Sequence, residues 1–152
     1  VPSELGQYYA TGSASIVSLS NDGSKAYIMD ADAPGGHGLT AHGRGMLIVD
    51  ISNPEAPALL GIYDDTDMSS GVAAIALSSD GSKAYVAAGR SLKVVDVTNP
   101  ASPVLSRSFD VSPESLVSVA LSNDDSKAYV VRWSIELGSI GLGIIDLTAT
   151  GQ

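Results

Sequence analysis

The sequence predicts an all-β chain built from repeated four-stranded antiparallel sheets, and three observations carry that reading. One turn motif recurs three times, as Ser20-Asn21-Asp22-Gly23-Ser24-Lys25-Ala26-Tyr27, Ser79-Asp80-Gly81-Ser82-Lys83-Ala84-Tyr85 and Ser122-Asn123-Asp124-Asp125-Ser126-Lys127-Ala128-Tyr129. A second motif follows each copy: Leu47-Ile48-Val49-Asp50-Ile51, Lys93-Val94-Val95-Asp96-Val97 and Gly143-Ile144-Ile145-Asp146-Leu147. Apolar runs are strand-length throughout, the longest being residues 72–77, too short for a membrane-spanning helix.

The elements follow in order within each unit. Strand A is the apolar run before the turn motif, at 16–19, 72–77 and 116–121. Asp-Gly then makes the A–B hairpin, because Gly accepts positive φ. Asp125 replaces that Gly in the third unit, at a strain of about 1 kcal/mol. Strand B carries the Lys-Ala-Tyr, and strand C the second motif. Asn53-Pro54 and Asn99-Pro100 close strand C, since Pro cannot donate to a ladder. Strand D is 58–63 in the first unit and 104–109 in the second. The repeated tyrosines lie 58 and 44 residues apart. Four-stranded units of about 40–50 residues are β-propeller blades.

The chain ends in the third strand C but opens with Glu4-Leu5-Gly6-Gln7-Tyr8-Tyr9, which resembles the strand D run Leu59-Leu60-Gly61-Ile62-Tyr63. The phase is D-ABCD-ABCD-ABC: residues 1–13 a strand D, 14–65 and 70–110 complete blades, and 116–152 a blade lacking its own strand D. Three blades do not close a ring, which takes about 4–8. The expected completion is another copy or a longer parent chain, with Leu5, Tyr8 and Tyr9 on the strand to be exchanged. Open edges of this kind promote self-association.

The net charge of −9 argues against nucleic acid and anionic membrane surfaces as partners, and no segment suits membrane insertion. Thirteen of the 17 acids are Asp, many beside Gly, Asn or Ser, which suits turns and calcium loops better than helix faces. The absence of cysteine excludes disulfides and thiolate chemistry without fixing a compartment.

Leu92-Lys93-Val94-Val95-Asp96-Val97-Thr98-Asn99-Pro100 resembles the LVIVD repeat of bacterial and archaeal β-propellers, and 46–54 matches it equally well. Residues 79–86 are similar to the YVTN-type repeat of microbial surface proteins. The third unit departs from the pattern, with Leu147-Thr148-Ala149-Thr150 in place of Asn-Pro. The resemblance implies an exported protein, located extracellularly, on the cell surface or in the periplasm, and it assigns no activity.

Lysines 25, 83 and 127 and aspartates 50, 96 and 146 recur in every unit, so they are read as architectural. The Gly89-Arg90 hairpin sets Lys83 opposite Asp96, an ion pair across strands or else an Asx turn on the aspartate. Tyr27, Tyr85 and Tyr129 are expected between blades. Variation is concentrated elsewhere. The strand B Tyr to strand C Asp distance is 23, 11 and 17 residues, so the insertions fall in the B–C connections. Antiparallel strands put the B–C and D–A loops at one end of the blades, the expected binding face.

The first insertion brings Asp30, Asp32, His37 and His42, and the neighbouring D–A loop brings Asp65, Asp67 and Ser69. Asp65-x-Asp67-x-Ser69-x-Gly71 resembles a calcium loop without its terminal Glu, or is a solvated acidic turn. No cofactor is expected, with calcium the ion these acidic loops could hold. His37 and His42 are either a transition-metal pair with Asp30 or Asp32, or loop residues. No nucleophile elbow occurs. The third insertion reads as a hairpin arm with Trp133, Ile135 and Leu137. It packs on its own blade or docks on a partner. The expectation is a non-enzymatic interaction and self-assembly module for protein or glycan. The alternatives are a six-bladed calcium-dependent hydrolase-like propeller, or half of one, and a structural filament subunit.

Overall fold

The computed structural model describes residues 1–9, 14–31, 44–64 and 72–149. Within them run the strands β1 (Ala14–Leu19), β2 (Lys25–Ala31), β3 (Arg44–Asp50), β4 (Ala58–Asp64), β5 (Val72–Leu77), β6 (Lys83–Ala88), β7 (Ser91–Asp96), β8 (Val104–Asp110), β9 (Ser115–Leu121), β10 (Lys127–Ser134) and β11 (Ser139–Asp146). They form three antiparallel sheets in the orders β1-β2-β3-β4, β5-β6-β7-β8 and β11-β10-β9. These are β-propeller blades, called here blades 1, 2 and 3 in chain order. No helix among the described residues is long and apolar enough to cross a membrane.

The repeated motifs explain the repeated registers. Lys25 lies opposite Asp50, Lys83 opposite Asp96 and Lys127 opposite Asp146. Gly23 and Gly81 occupy the left-handed region at φ 69 and 70, and Asp125 takes the same conformation at φ 55. Behind each A–B turn one bond ties strand C to the loop: Ile51, Val97 and Leu147 donate their N–H to the carbonyls of Ser24, Ser82 and Ser126.

The blades fan out with β5 packed between β1 and β9. The small side chains of β5 permit this approach. Two apolar seams result. Tyr27, Met29, Met46, Ile48 and Tyr63 of blade 1 pack on Ile75, Ala84, Val86 and Val95 of blade 2. Tyr85, Ala87, Leu92 and Val94 on the other face of blade 2 pack on Leu116, Val119, Ala128 and Val130 of blade 3. Burial of each large apolar side chain stabilises the stack by about 1.5–3 kcal/mol. Blade 2 is covered on both faces, so β6 and β7 are almost wholly buried. That is why residues 84–88 read as a continuous apolar run rather than an alternating one.

Tyr27 and Tyr85 lie between blades, and Tyr129, at the same place on the outward face of blade 3, is 38% exposed. Residues 1–9 are not paired into a sheet within this chain. They are nevertheless seated: Tyr8 joins a small cluster with Ala26, Leu47 and Val49 on the free face of blade 1.

Candidate functional site

The sheet topology divides the connections between two ends. The A–B and C–D turns share one end, and the B–C and D–A connections share the other, as the antiparallel order requires. On the second, irregular end, residues 32–43 and 65–71 lie outside the described residues, and with them Asp32, His37, His42, Asp65, Asp67 and Ser69. Asp30, the next-to-last residue of β2, lies opposite Gly45, and Asp64 closes β4 opposite the same glycine. Register thus brings two acidic positions to either side of one β3 residue.

The described part of this end is held by backbone bonds from the D–A connection onto the Gly89-Arg90 hairpin. Val111 donates to the Arg90 carbonyl at 2.8 Å, and Leu116 to that of Gly89 at 2.7 Å. Arg132 pairs with Glu114 at 3.2 Å across the same connection. The Arg132 guanidinium lies over Gly143, where a methyl group would overlap it, and its Nε is buried without a hydrogen-bond partner. Sequence reasoning passed over this pair, although Gly143 standing where blade 2 has Lys93 was the visible signal. The third-unit arm forms as expected: Trp133 pairs with Ile140, and residues 135–138 turn between β10 and β11. Trp133, Ile135 and Leu137 are all exposed.

The opposite, regular end carries the grooves. One of about 380 Å³ runs between blades 1 and 2, lined by Asn21, Lys25, Tyr27, Asp80, Val97 and Pro100 among others. Its counterpart between blades 2 and 3, about 330 Å³, includes Lys83, Tyr85, Arg107, Phe109 and Asp125. Their acids are engaged in the fold. Asp22 accepts from the Ser20 hydroxyl at 2.6 Å and from the Ser24 N–H and hydroxyl at 2.9 and 2.8 Å. Asp80 and Asp124 repeat the arrangement with Ser78 and Ser82, and with Ser122 and Ser126. The Ser78 hydroxyl, then the Ser82 N–H and hydroxyl, bring the Asp80 pKa down to about 2. The Ser20 and Ser122 hydroxyls lead the same downward shift for Asp22 and Asp124. Asp50, Asp96 and Asp146 are also lowered, by Ser52, Thr98 and Thr148, with smaller pulls from the lysines opposite. The recurring aspartates thus act chiefly as Asx acceptors. Burial raises the Tyr27 and Tyr85 phenols. Among the described residues no group of three or more His, Asp or Glu is arranged to hold a metal ion.

Adjacent blades are stapled at both margins of these grooves. On the inner margin, the Asn21 amide donates to the Ser79 carbonyl at 2.7 Å, and Ser79 donates its N–H and hydroxyl to Asp125 at 2.8 and 2.6 Å. On the outer margin, Gly61 of β4 lies against the Pro100 carbonyl of the next blade, and Gly6 lies in the same way against that of Pro54. At the third such place Arg107 stands where the others have Gly. It donates to the carbonyls of Leu147 and Ala149 at 3.0 and 2.6 Å, its guanidinium 4.7 Å from the Phe109 ring centre.

The chain matches the LVIVD repeat family over residues 39–65 and 74–111. Both copies contain the Leu47–Asp50 or Val94–Asp96 core of strand C and the Asn-Pro turn against which the preceding glycine packs. No curated protein sequence matches the chain. Solved structures similar to it are β-propellers or contain such folds. Hydrazine synthase of Kuenenia stuttgartiensis aligns at TM-score 0.64 and 14% identity, over 93% of this chain and 47% of that one. The Cps50 (Swd1) β-propeller domain of Myceliophteria thermophila aligns at 0.62 and 14%, over 90% and 41%. The periplasmic gluconolactonase PpgL of Pseudomonas aeruginosa aligns at 0.55 and 15%, over 89% and 41%. At these identities the likeness is one of fold, and the chain spans less than half the length of each.

Proposed function

We propose that this LVIVD-repeat chain is a non-enzymatic interaction module of an exported or cell-surface protein, which recognises protein or glycan and assembles through its open blade edges. The observation that carries this is the uncovered face of blade 3. Leu142 and Ile144 are 71% and 59% exposed, whereas their counterparts in blade 2, Leu92 and Val94, are 0% and 3% exposed beneath the next blade. A contiguous apolar face beside an unpaired strand edge is an association surface. The partner face is the irregular end, where Trp133, Ile135 and Leu137 stand exposed. The serine-bonded turn acids and the localisation implied by the repeats fit a binding role. Light scattering over a range of concentrations tests the assembly. A discrete dimer is expected; a monomer at every concentration overturns it, and a mass that grows without limit makes the chain a filament subunit.

A second reading, a calcium-dependent hydrolase-like propeller, is favoured by the register that flanks Gly45 with Asp30 and Asp64. Asp32, Asp65, Asp67 and Ser69 would complete its ion site. Calorimetric titration with calcium is the test: heat and a raised melting temperature support the ion, and their absence removes it. His37 and His42 belong to the same loops, and zinc in the same titration tests them.

A further inference from the structure

We infer that residues 4–9 of one copy add as a fourth strand to blade 3 of a second copy, entering on β11 with Gly6 opposite Ile144 and Tyr8 opposite Leu142. This rests on the assembly proposed above and specifies its joint.

Residues 4–9 already occupy the place of a last strand. Gly6 meets the Pro54–Glu55 backbone as Gly61 meets the Pro100–Ala101 backbone. Gly61 belongs to β4, the last strand of the blade preceding Pro100. Residues 4–9 therefore stand on blade 1 where the last strand of a preceding blade stands, without a sheet behind them. Tyr8, two residues after Gly6, packs on Ala26 and Val49. Tyr63, two residues after Gly61, shares a cluster with the equivalent Ala84 and Val95.

β11 supplies the complementary half. It pairs with β10 on one side, while β3 and β7 at the same place pair on both sides. Transferring the β3–β4 register, in which Ile48 faces Gly61 and Met46 faces Tyr63, gives the pairing stated above. Tyr8 would then cover Leu142.

The inner margin selects the occupant. The two internal joints use different chemistry: Asn21 with Gly81 between blades 1 and 2, where the amide reaches the Ser79 carbonyl, and Ser79 with Asp125 between blades 2 and 3. Blade 3 carries Asn123 at the Asn21 position, and blade 1 carries Gly23 at the Gly81 position. A blade 1 following blade 3 thus reproduces the first joint at both margins, with Asn–Gly inside and Gly–Pro outside. In that joint Asn123 donates to the Asn21 carbonyl. Two copies joined twice this way make a twofold-symmetric six-bladed ring in which β11 is paired on both sides and both end faces of the fan are covered.

A disulfide tests the register. The native chain has no cysteine. Tyr9 and Gly141 fall opposite each other in the transferred register, Tyr9 is exposed, and a Cβ on Gly141 meets open space. Facing residues of paired strands come close enough to bridge. The 152-residue chain carrying Tyr9→Cys and Gly141→Cys is expected to give, on mild oxidation, a dimer on a denaturing gel that reductant returns to monomer. A mixture of the two single variants is expected to give the same covalent dimer. A dimer by light scattering that yields no cross-link overturns the strand entry and leaves self-assembly standing. A monomer by light scattering overturns both.

Discussion

Gly61 and the carbonyl of Pro100 are in such close apposition that a methyl group on the glycine would overlap the oxygen. The two residues belong to different blades, so this is where strand D of one repeat touches the C–D turn of the next. Gly61→Ala is expected to push blades 1 and 2 apart and destabilise the fold by about 1–3 kcal/mol, the usual range for overpacking. Urea unfolding measures it as a lowered midpoint. The control is Gly141→Ala, where a Cβ meets open space and the strand tolerates a side chain. Equal midpoints for the two variants would show that the apposition carries no energy.

Arg107 replaces that glycine at the next joint and reaches two carbonyls of the segment after β11. Arg107→Ala loses both bonds and the contact with Phe109, and is expected to cost about 1.5–3 kcal/mol, the range for hydrogen bonds to a charged group. Arg107→Lys keeps the charge but not the two-pronged donor, so it is expected to recover less than half. Amide exchange at 147–149 should rise in both variants. Unchanged protection there would place the role of Arg107 elsewhere.

Much of the fold was legible because the determinants of a blade are local. Asp-Gly at φ near 70, the Asx aspartates and the Asn-Pro stops each act within a few residues, and the threefold repeat multiplies the signal. The joints between blades were not legible. Asp125 read as a strained turn residue, because its partner Ser79 lies 46 residues away. Arg107 read as an ordinary strand residue, because the carbonyls it serves are 40 and 42 residues distant. The irregular end was located by subtraction of the repeat, and its charged loops escape local rules for the same reason: nothing repeats there to compare.

Asp125 pairs strain with compensation. A non-glycine residue at φ 55 is disfavoured by about 1–2 kcal/mol, and its carboxylate takes both Ser79 donors in return. Asp125→Ala keeps the strain and loses the bonds, so a loss of about 1–2 kcal/mol is expected in urea unfolding. Asp125→Gly loses the bonds but relieves the strain, and is expected to be the milder variant. The reverse order would separate the conformation from the bridge.

The turn aspartates set an acid limb on stability. The Asp80 carboxyl lies at about 2 in the folded chain against 3.8 ordinarily, so the folded state holds its proton less tightly than the unfolded one. Its stabilisation is complete above pH ~5 and drains as pH falls through about 4 to 2. Asp22 and Asp124 act in the same direction. Ser78→Ala removes the largest cause and is expected to move the Asp80 midpoint, followed by carboxyl NMR, upward toward the ordinary value. An unmoved midpoint would assign the depression to Ser82 alone.

The open face of blade 3 separates folding from assembly. Leu142 and Val94 stand on corresponding faces of blades 3 and 2, the first exposed and the second buried against its neighbour. Val94→Lys buries an unpaired ammonium in the second seam and is expected to cost several kcal/mol, enough to unfold the chain. Leu142→Lys alters a solvated edge, so thermal unfolding of the monomer should change by no more than about 0.5 kcal/mol. In the assembled ring the same lysine would lie beneath Tyr8 of the partner copy, as Val94 lies beneath blade 3, and its desolvation opposes closure. Sedimentation of Leu142→Lys is therefore expected to give a folded monomer at concentrations where the parent chain is dimeric. A variant that still dimerises as tightly as the parent would move the interface off this face.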